Sequence, residues 1–374
     1  MIPVCEPFLP GKELEYVTDC IKSNWISSGG KYIGEFERKF AEYCGTKHGV
    51  STTSGTTALH LALASLGIGK GCEVIVPAFT MAASVFAIIY TGAKPVLVDC
   101  EPETWNMDVG QVEKKITRRT KAILPVHIYG HPCDMDPIME SARKRKLCVV
   151  EDAAEVHGAE YKGRRAGGIG DVGCFSFYAN KMITTGEGGM IVTNRDDVAD
   201  RARRLKDQAY SREKRFLHTE IGFNYRMTNI QAAIGLAQLE RIDEFVERRR
   251  RNASIYNSLL KDVKGVRLPP EKPWAKNVYW MYSIVIEDEF GMSRDELAAK
   301  LKENGVDTRA FFIPMHQQPA FAQLGLFRGE SFPVAEDISR RGLYLPSGSG
   351  LKKEEIEQVC ATLKKVRESA TRGG

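Results

Sequence analysis

The chain has 374 residues, 43% of them hydrophobic and 27% charged, a balance that fits a folded globular protein and excludes a disordered or fibrous one. Lysine and arginine number 53 against 48 acidic residues, an excess of +5, which is too small to point to nucleic acid but suits an anionic substrate. No charged-then-apolar leader opens the chain, and no apolar run reaches the ~18 residues of a membrane span, so a cytoplasmic protein with no membrane partner is expected.

From about residue 50 to 195, short apolar runs alternate with helical patterns. Helices are predicted over Thr57–Leu66, Ala82–Tyr90, Val109–Ile116 and Pro137–Lys144. Between them, strands are predicted at Glu73–Val76, Pro95–Val98, Ala122–His127, Cys148–Glu151, Gly173–Phe177 and Met190–Thr193. This alternation belongs to an α/β fold with a mostly parallel sheet covered on both faces. Such sheets bind ligands beyond the carboxyl ends of their strands. A long helix is predicted over Asn229–Leu260, opened by the capping-box pair Thr228 and Gln231 and carrying a stripe of Ile230, Ala233, Ile234, Ala237, Ile242 and Val246. Pro269, Pro270 and Pro273 cluster beside Gly265, so a domain break is expected near Asp262–Lys276, dividing the chain into 1–260 and 261–374. In the second, smaller α+β unit, Tyr279–Ile286 reads as a strand, with Arg294–Asn304 and Glu354–Glu368 as helices. The nine cysteines include no pair three apart, so zinc-ribbon spacing is absent and no metal is expected. They read as reduced, small hydrophobes.

The chemistry concentrates in two stretches. Cys174-Phe175-Ser176-Phe177-Tyr178-Ala179-Asn180-Lys181 places one lysine between an apolar strand and the glycine-rich turn Gly186-Glu187-Gly188-Gly189. Val149-Val150-Glu151-Asp152 ends another strand with acids. A lysine amine and a strand-end aspartate are what an aldehyde cofactor with a pyridine ring requires: one bonds the aldehyde carbon, the other keeps the ring nitrogen protonated. Alone, each is also what a surface lysine or a helix cap looks like. Ser54-Gly55-Thr56-Thr57 opens a helix, where free amide hydrogens and the helix dipole suit a phosphate. Ser176 should face away from both flanking phenylalanines. The basic runs Arg248–Arg251 and Arg143–Lys146 read as solvated helix faces.

These segments resemble the DegT/DnrJ/EryC1/StrS family of sugar aminotransferases. The likeness extends through Trp25-Ile26-Ser27-Ser28, the loop Gly222-Phe223-Asn224-Tyr225-Arg226 and Pro314-Met315-His316, so it covers nearly the whole chain. It implies a large domain of the aspartate-aminotransferase type (fold type I) with pyridoxal 5′-phosphate (PLP) as cofactor, cycling through pyridoxamine 5′-phosphate. By resemblance, Lys181 and Asp152 are catalytic. Ser54, Gly55, Thr56 and Ser176 hold the phosphate, and Glu155 lies near the ring hydroxyl. Met81 stands where many relatives stack an aromatic ring on the cofactor, with Phe79 or Phe86 as neighbours that could contribute. Asn224 is expected to reach the PLP of a partner subunit, which implies a homodimer with shared active sites. Trp25, Ser27 and His316 are expected at the sugar, with His127 a weaker candidate. The implied reaction is amino transfer from L-glutamate to C4 of a nucleotide-linked 4-keto-6-deoxyhexose, with GDP-4-keto-6-deoxymannose as acceptor and GDP-perosamine as product. A UDP- or dTDP-linked keto sugar, transfer at C3, and a non-catalytic binding protein of the same fold stay open.

Overall fold

Runs rich in valine and isoleucine form the centre of the molecule, because a strand covered on both faces needs apolar side chains in both directions. In this computed structural model, which describes residues 1–211, 213, 214 and 216–372, seven strands form one sheet. Their order is His48–Thr52, Gly189–Thr193, Val172–Ser176, Cys148–Asp152, Thr120–Ile123, Glu73–Pro77, Lys94–Val98. Only Gly189–Thr193 runs antiparallel to its neighbours. Successive side chains alternate across a strand. Val172 and Cys174 therefore enter the core under the helix Gly55–Ser65, while Phe175 and Phe177 join Phe36 and Phe40 in a core on the opposite face. Ser176 is left facing the same helix as Cys174.

Two predicted elements differ. The strand expected to run to His127 ends at Ile123, two residues before Pro125, which has no N–H for a ladder. The single helix expected over Asn229–Leu260 is two, Asn229–Leu239 and Ile242–Leu260. The backbone leaves the helical region at Arg241 (φ −124°, ψ 12°). The first helix packs Ala232, Ala233 and Leu236 on Phe36 and its neighbours, and Ile242, Phe245 and Val246 at the start of the second join the same core. The stripe therefore stays in one core across the break, and only Ala253, Tyr256 and Leu260 further along reach another.

That other core lies under a second, antiparallel sheet of Val266–Arg267, Tyr282–Ile286, Gly342–Leu345 and Arg309–Ala310. Ile284, Leu343 and Leu345 from the sheet meet Leu297 and Leu301 of Arg294–Glu303 and Ile356, Val359 and Leu363 of Lys353–Arg372. Among the described residues, no helix is long and apolar enough to cross a membrane, no His/Cys/Asp/Glu group could hold a metal, and all nine cysteines are free thiols.

One partly buried ion pair ties the edge of the large sheet to its helices. Lys206 Nζ donates to Glu37 Oε1 at 2.9 Å, and Ser51 donates to the same oxygen from N at 2.8 Å and from Oγ at 2.7 Å. Burial pushes the Glu37 carboxyl up, but Lys206 and the Ser51 donors outweigh it, so the net shift is downward. The stabilisation is therefore present above the ordinary carboxylate range and is lost as pH falls through the depressed folded value. Lys206→Met leaves Glu37 without its counter-ion, held only by the Ser51 donors, and should lower the unfolding free energy in urea by about 1–3 kcal/mol. An unchanged urea midpoint would contradict this.

Candidate active site

The strands Cys148–Asp152 and Val172–Ser176 end at the floor of a cavity of about 460 Å³. The helix Gly55–Ser65 points its N-terminus into it. Ser54 caps this helix: its Oγ accepts from Thr57 N at 3.2 Å, and Thr57 Oγ1 accepts from Ser54 N at 2.9 Å. The Ser54 side chain is thus engaged by its own helix, and the amides of the first turn are the groups left to serve a ligand. A Cβ on Gly55 would stand 2.7 Å from Ser176 Cβ, so glycine is what lets the helix start lie against that strand. Gly55, Thr56 and Ser176 consequently share one wall, which presents amides and hydroxyls at a positive helix end, the donor set an anion requires.

Opposite this wall, Asp152 ends its strand and is 5% exposed. Ser84 Oγ donates to its Oδ2 at 2.7 Å, and Ala154 N donates to Oδ1 at 3.2 Å. Thr80 Oγ1 lies 2.8 Å from Ser84 Oγ. In the protein alone, burial raises the Asp152 pKa, against the opposing pull of Ser84, the Ala154 amide and Lys181. The protein's own charges do not overcome the desolvation; a cation bound beside Asp152 would favour its carboxylate form.

Lys181 sits between these walls. Its amine is 3.9 Å from Glu155 Oε1, outside hydrogen-bonding distance. Burial lowers the Lys181 pKa against the pull of Glu155 and Asp152. Glu155, which accepts from Tyr129 N at 2.8 Å, is raised, chiefly by burial. Both shifts favour the neutral pair, and a neutral buried amine can attack an aldehyde or take a proton. A buried amine without a close acceptor, an electron-rich carboxylate across the cavity and a glycine-lined anion cradle fit pyridoxal phosphate.

Met81 lines the same cavity and is 53% exposed. Neither Phe79 nor Phe86 reaches it. Phe79 packs against Tyr129 and Phe311, and Phe86 against Phe321. His127 is also no cavity residue: it is fully buried, with Nε2 3.0 Å from Glu151 Oε2 and Nδ1 accepting from Cys133 N at 2.9 Å. His316 lies outside, against Phe332, with Nε2 3.0 Å from Glu336 Oε1. Trp25 and Ser27 sit in the segment before the helix Lys31–Tyr43; their carbonyls accept from Asn229 Nδ2 and N. Asn224 is exposed in the loop before Asn229–Leu239, and it does not line its own chain's cavity. Sequence reasoning missed Ser84, Cys5, Arg309, Tyr344 and Trp280, of which all but Ser84 line the cavity. None of them carried a local signal: Ser84 opens the helix Ala82–Tyr90 beside the Thr80 hydroxyl, but no spacing along the chain points it to Asp152.

The sequence matches the DegT/DnrJ/EryC1/StrS aminotransferase family over residues 9–364. It is 48% identical to a GDP-perosamine synthase of Caulobacter vibrioides, covering 98% of each chain, and 47% identical to a GDP-perosamine synthase of Escherichia coli O157:H7, covering 97% of each. The fold superposes on an aminotransferase from Psychrobacter cryohalolentis with a TM-score of 0.93 at 32% identity, covering 98% of this chain and 99% of that one. A family match over almost the whole length, carried by a fold whose sheet ends build this lysine–aspartate cavity, makes the chain a member of the DegT/DnrJ/EryC1/StrS aminotransferase family.

Proposed function

We propose that this protein is the PLP-dependent aminotransferase that converts GDP-4-keto-6-deoxymannose to GDP-perosamine, with L-glutamate as amino donor. The observation that carries it is the meeting of Lys181, Asp152 and the Gly55 helix start around one cavity. The GDP-linked sugar rests on likeness to proteins of that activity over the full chain.

PLP supplies an electron-accepting ring next to the carbon that carries the amino group. The chain's residues do the rest. The amides of Gly55 and Thr56 and the Ser176 hydroxyl hold the phosphate. Asp152, braced by Ser84, presents its carboxylate to the ring nitrogen and keeps it protonated. Lys181 anchors the aldehyde. Once displaced, its amine takes the proton from Cα of glutamate in one half-reaction and delivers a proton to C4 of the sugar in the other. Delivery from one fixed side sets the configuration at C4. Glutamate leaves as 2-oxoglutarate, so nitrogen and electrons balance over the two halves.

The reading includes a homodimer. Asn224 is exposed and does not line its own cavity, and Trp25, Ile26 and Ile221 are exposed, Ile221 at 89%, as residues awaiting a partner face would be. A cytoplasmic location is part of the same reading, since that is where a nucleotide-sugar substrate would be met.

The test is a visible absorption spectrum of the purified protein with PLP, before and after L-glutamate. The band of lysine-linked cofactor should fall while the pyridoxamine phosphate band rises. GDP-4-keto-6-deoxymannose should then restore the first band, and UDP- and dTDP-linked keto sugars should not. Restoration by one of those alone would replace the sugar assignment, and absence of any band would remove the role given to Lys181.

A further inference from the structure

Trp280 enters the cavity from the segment leading into the strand Tyr282–Ile286, and it is 4% exposed. Lys181 Nζ lies 3.8 Å from the centroid of its ring. Its indole Nε1–H donates to the carbonyl of Asn180, the residue before the lysine, at 2.9 Å. The indole thus meets Lys181 at both ends, at the peptide that precedes it and at its amine. Trp280 is itself held from behind. Buried Arg249 donates to its carbonyl oxygen and to Ser349 Oγ, and Gly130 approaches so closely that a Cβ there would lie 2.6 Å from Trp280 N.

We propose that Trp280 is a positioning residue for Lys181: its N–H locks the backbone at Asn180, and its ring face seats the lysine amine whenever that amine is free of the cofactor. The inference rests on Lys181 being the cofactor lysine and deepens that assignment. Each turnover has to release this amine and bring it back. A released amine on a four-carbon stem would wander, or settle on a carboxylate and lose reactivity. Seated on the indole, it stays 3.9 Å from Glu155, at the outer limit of an ion pair and beyond hydrogen-bonding distance. An aromatic face attracts an ammonium through its quadrupole, and tryptophan does so best.

The other groups acting on the amine are Asp152 at its strand end, Glu155 three residues beyond it, Arg249 from the helix Ile242–Leu260, and Cys5 from the N-terminal segment; Lys181 in turn disfavours charge on buried His157. Burial and Arg249 favour the neutral amine, whereas Glu155, Asp152 and Cys5 favour the charged one. The ring face adds to the second group, so its loss shifts the balance toward the neutral form.

The experiment uses cofactor-free full-length protein. Acetylation of Lys181 by acetic anhydride is followed across pH by peptide mass spectrometry. Only the neutral amine reacts, so the midpoint of the labelling curve reports its protonation. Trp280→Leu should lower that midpoint by about 0.4–1.5 pH units, the range set by the usual strength of a cation–π contact. Trp280→Phe keeps a weaker ring face and should lower it less. A midpoint at or above the wild-type value in folded Trp280→Phe overturns the proposal, even if Trp280→Leu does not fold. The measurement needs no PLP. A wild-type protein that fails to show the cofactor band therefore sinks the reading of the cavity without touching this result, and the converse also holds.

Discussion

Lys181→Ala should lose turnover by more than about 10⁴-fold, the upper end of what a positioned acid–base group contributes. The loss exceeds that range because the same amine also makes the covalent link to the cofactor. Among the described residues no other lysine lines the cavity, so no described neighbour can substitute. Phosphate binding should survive, because Gly55, Thr56 and Ser176 reach the cavity from other elements. The variant should therefore bind PLP yet show only the spectrum of the free aldehyde. Single-turnover exchange with glutamate separates the outcomes: wild-type exchange in Lys181→Ala would refute its part in catalysis. Loss of both the band and all PLP binding would mean that the lysine also holds the fold of the site.

Asp152→Asn should keep the shape of the site and lose activity by on the order of 10²–10³-fold, the usual cost of removing one preorganised electrostatic partner. An amide accepts the same bond from Ser84 but carries no charge, so it cannot hold a proton on the ring nitrogen. The pH dependence supplies a second readout. Burial raises the Asp152 pKa in the cofactor-free protein, and a ring cation lowers it again, so bound PLP favours the carboxylate. PLP affinity should therefore be full above the raised value and fall as pH drops through it. In Asp152→Asn that acid limb disappears. Titration of PLP binding against pH in both proteins checks this, and an acid limb that persists in the variant would assign it to another group.

How much of this was legible in advance depended on the range over which each feature is set. The helix at Gly55, with its cap at Ser54, and the strand ends at Asp152 and Ser176 are written within a few residues. Strand alternation alone told which way Ser176 faces. The resemblance carried the same residues to one cofactor, and the fold brings Lys181, Asp152, Glu155, Met81 and the phosphate wall around one cavity. The break at Arg241 was not legible, because the apolar stripe runs on through it and stays in the same core on both sides. His316 and, more weakly, His127 were candidates as lone histidines. Glu151 and Glu336, 24 and 20 residues away, partner them outside the cavity.

Local chemistry determined by itself that this chain would be an α/β protein with a lysine, an aspartate and a helix-start cradle poised for an aldehyde phosphate, because caps, alternation and burial on two faces are short-range properties of the chain. Tertiary structure alone decided what surrounds them. The Ser84 hydroxyl reaches Asp152 across 68 residues, and the Trp280 indole reaches Asn180 across 100. Such contacts depend on how two layers and a second sheet pack, and no periodicity or spacing along a chain encodes which side chains that packing brings within 3 Å.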